Sequence, residues 1–365
     1  MKVRAAVLRD GSQPYRIEEL ELPTPGPDEV LVRMAGVGIC HTDGMPRSPE
    51  MAGLLPIVPG HEGSGVVEAV GSGVGGIEPG DHVLLSFDSC GRCRRCRAGS
   101  PAYCAEFMSR NLTGRKPDGS PGAEDSDGEP VAARWFGQSS FATHAIATSR
   151  NVVVVDRELP LELLGPLGCG LQTGAGAVLN SLRVRPGESI AVTGAGAVGL
   201  AAVMAAKAVG ATTIVAVDLH ASRLDLAREL GATHTVRGDA HDVAEQIRAA
   251  TGGAGVDYAF DTTGVPAVIA SAIAALTLHG TAGLVGMSSG DLVIPAHVLH
   301  TIPTLTWILE GDSVPQVLIP QLIELWQQGR FPFDKLIRTF PFAEISEAEA
   351  AAHSGAVVKP VLTFT

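Results

Sequence analysis

The stretch Ser189-Ile190-Ala191-Val192-Thr193-Gly194-Ala195-Gly196-Ala197-Val198-Gly199 decides the fold. A short β-run enters a Gly-x-Gly-x-x-Gly turn, and an alanine-rich helix follows to about Val209. Gly194 permits the tight turn, Gly196 lets backbone approach a pyrophosphate, and Gly199 lets helix and strand pack closely. The helix start at Ala197 and Val198 offers N–H groups to phosphate. Thr213–Val217 reads as the next strand, and Asp218 ends it 24 residues after Gly194. A carboxylate there accepts hydrogen bonds from both ribose hydroxyls and repels a 2′-phosphate. NAD is therefore expected over NADP, with Arg223 close enough to soften the preference.

Further along, Ala221–Leu230 reads as a helix closed by Gly231, Val256–Phe260 as a strand, Val265–Leu278 as a helix and Gly283–Gly286 as a strand. This alternation predicts an α/β fold, a parallel sheet with helices on both faces. Upstream, residues 1 to about 150 are short β-runs (Val3–Leu8, Val30–Val37, Val66–Val70, Val83–Ser86, Val152–Val155) separated by Gly and Pro turns. They predict a small, mostly-β domain. Arg115–Pro130 is dense in Gly, Pro, Asp, Glu and Ser and reads as a mobile surface loop. Downstream, helices over Val314–Gln328 (apolar stripe Val317, Leu318, Leu322, Leu325) and Ala343–Ser354 lead to a strand at Val361–Phe364.

The chain has 365 residues, 45% hydrophobic and 18% charged, which suits about two domains of 100–200 residues and excludes a disordered tail. A formal charge of −12 argues against nucleic acid or an anionic membrane as the main partner. The charge-free stretches Thr262–Gly290 and Leu292–Leu309 are broken by Gly, Pro, Thr or His and read as buried strand and helix rather than membrane spans. The start MKVRAAVLRD carries no signal-peptide pattern, so a soluble cytoplasmic protein is expected.

Six cysteines in such a protein point to metal before disulfide. Cys90-x2-Cys93-x2-Cys96-x7-Cys104 can give four thiolates to one tetrahedral ion, a closed structural zinc site. An iron–sulfur cluster is the rival, but the fourth spacing is too long and Ala105 stands where that pattern has Pro. Arg92, Arg94, Arg95 and Arg97 would partly offset the thiolate charge. Cys40, His61 and Cys169 lie in Gly38-Ile39-Cys40-His41-Thr42-Asp43, Pro59-Gly60-His61-Glu62-Gly63 and Gly168-Cys169-Gly170. Two sulfurs and one imidazole leave a fourth zinc position open, as a catalytic site requires. Asp43 is the candidate carboxylate that would orient His61.

On these segments, with Pro101–Cys104, Trp135–Phe141 and Glu310–Lys335, the chain resembles the zinc-containing medium-chain alcohol dehydrogenases over its whole length, and most resembles their aryl-alcohol (benzyl-alcohol) members. The resemblance implies a GroES-like catalytic domain over 1–170 with a structural zinc lobe at about 88–106, a Rossmann doubly wound cofactor domain over 171–305, and a return to the catalytic domain over 306–365. It implies two zinc ions per chain. Cys40, His61 and Cys169 would be the catalytic ligands, with Glu62 able to approach the metal. Thr42 would bond the alcohol, Thr173, Val285 and Met287 would lie by the cofactor, and His41 and Lys359 would contact its pyrophosphate. Met45 stands where some members carry a His that ends a proton relay, so the proton must leave by another route. Trp135 and Phe136, with Phe87, Met287 and Leu309, are the candidate pocket walls.

The implied reaction interconverts primary aryl or allylic alcohols and aldehydes by hydride transfer to NAD. The alternatives are a hydroxymethyl-thiol dehydrogenase, an NADP-linked aldehyde reductase and a non-catalytic nucleotide-binding protein. The apolar strand Thr304–Leu309 suits pairing with a second copy, as a homodimer or homotetramer.

Overall fold

A computed structural model describes residues 1–287 and 290–364. The chain divides into two compact units: residues 1–169 with 314–320 and 334–365, and residues 170–313 with 321–333.

The second unit is built on a six-stranded parallel sheet. Its order is His234–Arg237, Thr213–Asp218, Ser189–Thr193, Val256–Asp261, Leu276–Leu284, Thr304–Trp307. Ile190 pairs with Ile214 on one side and with Tyr258 on the other. Chain order reverses across this strand, so the loops leaving its carboxyl end diverge and open a crevice, the usual ligand position in such sheets. Ala191, Val215, Val217, Ala259, Ile269 and Ile273 are buried together, as a sheet covered on both faces requires. Each buried Val or Ile stabilises by about 1.5–3 kcal/mol before entropy is counted. Helix Ala197–Val209 carries Lys207 in its last turn and stops at Gly210, whose φ of 88° ends it in the left-handed region.

The first unit has two antiparallel-rich sheets. Lys2–Val7, Arg16–Glu21, Gly122–Glu124 and Pro130–Ala132 form one. The other runs Ile337–Pro341, Lys359–Thr363, Glu29–Gly38, Glu62–Val70, His82–Leu85, Val152–Val155, with His144–Thr148 also on Glu29–Gly38. Glu29–Gly38 is central, and Val30, Val32, Met34 and Val37 are fully enclosed.

Several expectations need correction. The helix expected to reach Leu278 ends at Ala274, and Leu276 already pairs with Val256. The pairing then skips from Val256–Leu276 to Tyr258–Thr281, and His279 adopts φ 64°. That bulge hides the strand period, so the Leu spacing mimics a helix. Arg115–Pro130 is not simply a loop: Gly122–Glu124 pairs with Pro130–Ala132, and Asp125 takes a 2.7 Å ion pair from Arg9. Leu292–Leu309 is a 3-10 turn (Ala296–Thr301) plus the edge strand, and Val293, Leu299, Ile302, Leu305 and Trp307 are exposed rather than buried. Among the described residues, the edge strand has a sheet neighbour on one side only. Residues 288 and 289 of the other charge-free stretch lie outside the described residues. Within helix Pro315–Gln327, Leu318, Ile319, Leu322 and Ile323 are buried while Val317 faces outward.

Candidate metal centres and the nucleotide turn

Four thiols meet in the lobe around residue 90. The Sγ atoms of Cys90, Cys93, Cys96 and Cys104 all lie within 4.8 Å of one another. Cys96 Sγ is 3.5 Å from Cys93 Sγ and 3.9 Å from Cys90 Sγ. A disulfide needs about 2.05 Å, whereas four sulfurs around zinc stand about 3.8 Å apart, from Zn–S bonds of about 2.3 Å. The Cys93, Cys96, Cys90 and Glu106 N–H groups donate to Cys90, Cys93, Cys104 and Cys104 sulfurs respectively. Backbone donors from Ala105 and then Cys96 hold the Cys93 thiol down at about 6. The donor set fits a closed four-sulfur zinc site. Beneath the lobe, Arg110 bonds Asp88 and Glu106, and Asn111 receives the Asp88 N–H.

The second centre draws on three segments of the same unit. Cys40 follows strand Glu29–Gly38, His61 precedes strand Glu62–Val70, and Cys169 ends the turn Gly165–Gly168. One ligand atom each from Cys40, His61, Glu62 and Cys169 falls within 4.8 Å of the others. Asp43 organises them: its Oδ2 accepts from Cys40 N, and its Oδ1 accepts from Gly60 N and meets His61 Nδ1 at 2.7 Å. That bond commits Nδ1 to the carboxylate and leaves Nε2, 3.2 Å from Cys169 Sγ, for a metal. Burial alone would lower the His61 pKa, but Asp43 outweighs it and raises it well above the ordinary value. Hydrogen bonding with Cys169, and then His61, draws the Cys40 thiol well down against burial. Two sulfurs and one imidazole, converging with one another, suit zinc with one position left open.

Other expected residues separate. Thr42 Oγ1 is 3.9 Å from Cys40 Sγ, so it belongs to this centre. Glu62 is enclosed, and burial pushes its carboxyl up to about 7 against the pull of Lys359. Lys359 departs from its expected place at a pyrophosphate. It is 3% exposed, and its Nζ donates to Glu62 Oε1 (2.8 Å), Glu62 Oε2 (2.9 Å) and Ile39 O (3.0 Å). Two of these bonds pair the buried Glu62 carboxyl and the third goes to a backbone carbonyl, so the ammonium is wholly committed inside the protein. His41 is exposed, edge-on to His353 at 5.8 Å. Trp135, expected as a pocket wall, is wholly enclosed. Phe136 stacks on the His61 ring, with centroids 4.3 Å apart and planes 24° apart. Phe87 is also buried and packs on Phe107, and Leu309, in the second unit, is half-buried.

In the second unit the turn follows its glycines. Gly194 has φ 90°, and a Cβ there would strike Thr262 Oγ1 at 2.3 Å. Gly196 caps helix Ala197–Val209 with open space beside it. The first-turn N–H groups of that helix, including Ala197 and Val198, have no carbonyl one turn back to bond. Asp218 Oδ2 accepts from Ala195 N (2.7 Å) and Oδ1 from His220 N (2.8 Å). Burial lowers the pKa of Arg223 while Asp218 opposes it. Thr173 is buried on helix Gly170–Gly176, Val285 N donates to Asp261 O, and Met287 is 73% exposed. Sequence reasoning missed Asp261. Its buried carboxylate accepts from Thr193 and Thr263 hydroxyls and from Thr263 and Gly264 N–H groups, tying the end of strand Ser189–Thr193 to the turn that follows Asp261. It also missed Gln138, whose amide bonds His61 O and Ser86 O. Both lie inside visible motifs, but the residue type alone does not reveal the partner.

A doubly wound sheet with a glycine turn, together with an open three-ligand metal site, defines a metal-dependent oxidoreductase. The family described as alcohol dehydrogenase GroES-like domain matches residues 26–157, and that described as zinc-binding dehydrogenase matches residues 197–320. A geraniol dehydrogenase of Castellaniella defragrans is 48% identical, over 100% of this chain and 98% of its own length. The crystal structure of an alcohol dehydrogenase zinc-binding domain protein from Burkholderia ambifaria is 49% identical, with a TM-score of 0.97 over 100% of this chain and 99% of that one. Benzyl alcohol dehydrogenase from Acinetobacter calcoaceticus is 40% identical, with a TM-score of 0.95 over 100% of both chains. The chain belongs to the zinc-containing medium-chain alcohol dehydrogenase family, with a GroES-like domain, a Rossmann-type domain and a nicotinamide cofactor.

Proposed function

We propose that the enzyme oxidises primary allylic and aryl alcohols to aldehydes with NAD, using one catalytic and one structural zinc. The observation that carries the reading is the convergence of Cys40, His61 and Cys169 around Asp43. Two relatives support the substrate class through their names, since geraniol is an allylic and benzyl alcohol an aryl-substituted methanol. The net reaction would remove a hydride from the carbinol carbon and a proton from its hydroxyl, giving aldehyde, NADH and a proton.

When bound, zinc supplies a Lewis acid that lowers the substrate hydroxyl's pKa, and NAD supplies the hydride acceptor. Cys40, His61 and Cys169 would hold the catalytic ion, and the four-thiol lobe the structural one. Asp43 keeps the His61 tautomer. Thr42 would accept the substrate hydroxyl's hydrogen bond, and because Met45 cannot titrate, the proton would leave by a path that does not include it. Asp218 favours NAD because a 2′-phosphate would meet its carboxylate. The unit of residues 1–169, 314–320 and 334–365 would act as the metal and substrate module, and that of residues 170–313 and 321–333 as the cofactor module.

Six cysteines given over to metal suit a reducing, cytoplasmic compartment. No helix among the described residues is long and apolar enough to cross a membrane. The exposed apolar edge strand supports a homo-oligomer.

An alcohol panel at saturating NAD, followed by nicotinamide absorbance, tests the reading. Benzyl, cinnamyl and geranyl alcohols should exceed ethanol in kcat/KM by roughly tenfold or more. Equal or better turnover of ethanol would overturn the substrate class, and preference for NADP would overturn the role of Asp218.

A further inference from the structure

We propose that Phe136 is a positioning residue for the His61 imidazole. The proposal rests on reading His61 as a metal ligand. Asp43 grips the imidazole at Nδ1 by one 2.7 Å hydrogen bond. A single bond in the ring plane fixes the tautomer and the direction of Nε2, yet leaves the ring free to tilt out of plane about that contact. The Phe136 ring lies nearly parallel to it, 4.3 Å away and 24° off, and blocks that tilt. The two restraints act along perpendicular directions, so together they define where Nε2 points.

The backbone shows that this placement is imposed. Phe136 has φ 50° and ψ 34°, a left-handed conformation that bulky side chains rarely adopt. Such strain persists where surrounding structure over-determines it, and it clusters at functional sites. Here Asn151 Nδ2 bonds Phe136 O at 2.9 Å, and Gln138 N and Ser139 N both bond Trp135 O. The ring is buttressed edge-on by Trp135 at 5.5 Å and by Phe107 at 6.4 Å. Phe107 N in turn bonds Cys104 O, so the buttress is anchored in the four-thiol lobe.

The test uses the metal-loaded enzyme and its cobalt(II)-substituted form, with Phe136→Leu and Phe136→Gly. Leucine keeps apolar bulk and backbone strain without a ring, whereas glycine removes the ring and relieves the strain. Both should release the Cys40–His61–Cys169 metal to a chelator about tenfold more readily, within the range for outer-shell changes. Both should also shift the cobalt absorption bands of that site, whatever their Tm, while the four-thiol metal stays bound. Unchanged release and unchanged bands in both variants would overturn the proposal, as would a loss seen in glycine but not in leucine, since that is the signature of filled volume alone. A His61→Ala control separates the two claims. If that variant keeps both metals, the ligand assignment fails before the stacking argument is reached.

Discussion

A methyl group added to Gly199 would lie 1.8 Å from the Gly194 carbonyl oxygen, closer than atoms can stand. The helix start would have to move off the strand that carries the phosphate turn. Gly199→Ala should therefore cost about 1–3 kcal/mol through overpacking, and raise the KM for NAD with kcat less affected. Thermal unfolding and initial rates check this, and unchanged Tm with unchanged KM would remove the packing role. Here the motif and the geometry coincide, because the turn acts through backbone and needs no distant partner. Lys359 is the opposite case. The family resemblance implies a pyrophosphate contact for this lysine, and in the structure its ammonium pairs with the buried Glu62, 297 residues away in sequence. Charge pairing over such a separation leaves no local pattern.

Strand Glu29–Gly38 was legible from its run of apolar residues, Val30–Val37, but the ionic knot at its start was not. Glu29 is buried between Arg134 and Lys116, with Gly26 N donating as well. Burial pushes the Glu29 carboxyl up, but Arg134, Lys116 and Gly26 outweigh it and hold it below its ordinary value. A carboxyl with a depressed folded pKa contributes stability that is present above the unfolded value of about 4.3, and loses it as pH falls through the folded value. Glu29→Gln should cost about 3 kcal/mol near neutral pH, because buried Arg134 loses its partner. It should also flatten the fall in Tm below about pH 5. Parallel Tm–pH curves for parent and variant would count against this. Elements with a bulge, such as Leu276–Leu284, were misread because the period that marks a strand is interrupted.

At the scale of the molecule, the exposed edge strand Thr304–Trp307 stands out in a chain with a formal charge of −12. An edge strand carrying exposed Leu305 and Trp307, with exposed Leu299 and Ile302 just before it, is a template for association. The expected outcome is a homo-oligomer in sedimentation, shifted toward monomer by Trp307→Glu with metal content unchanged. A parent enzyme that sediments as a monomer at all concentrations would refute it. A membrane or nucleic-acid partner finds no support in the same composition.

The linear chain determined the alternation of strand and helix, the glycine turn and which thiols are candidates to gather in clusters, since each depends on residues close in sequence or on side chains with few other uses. Folding alone decided which groups face one another. The Glu62–Lys359 pair, the Phe136–His61 stack and the Asp261 tie each join segments whose meeting depends on long-range packing. Burial gives those contacts their strength, because charges and rings removed from water must find partners, and no residue's neighbours in sequence reveal which partner the fold will supply.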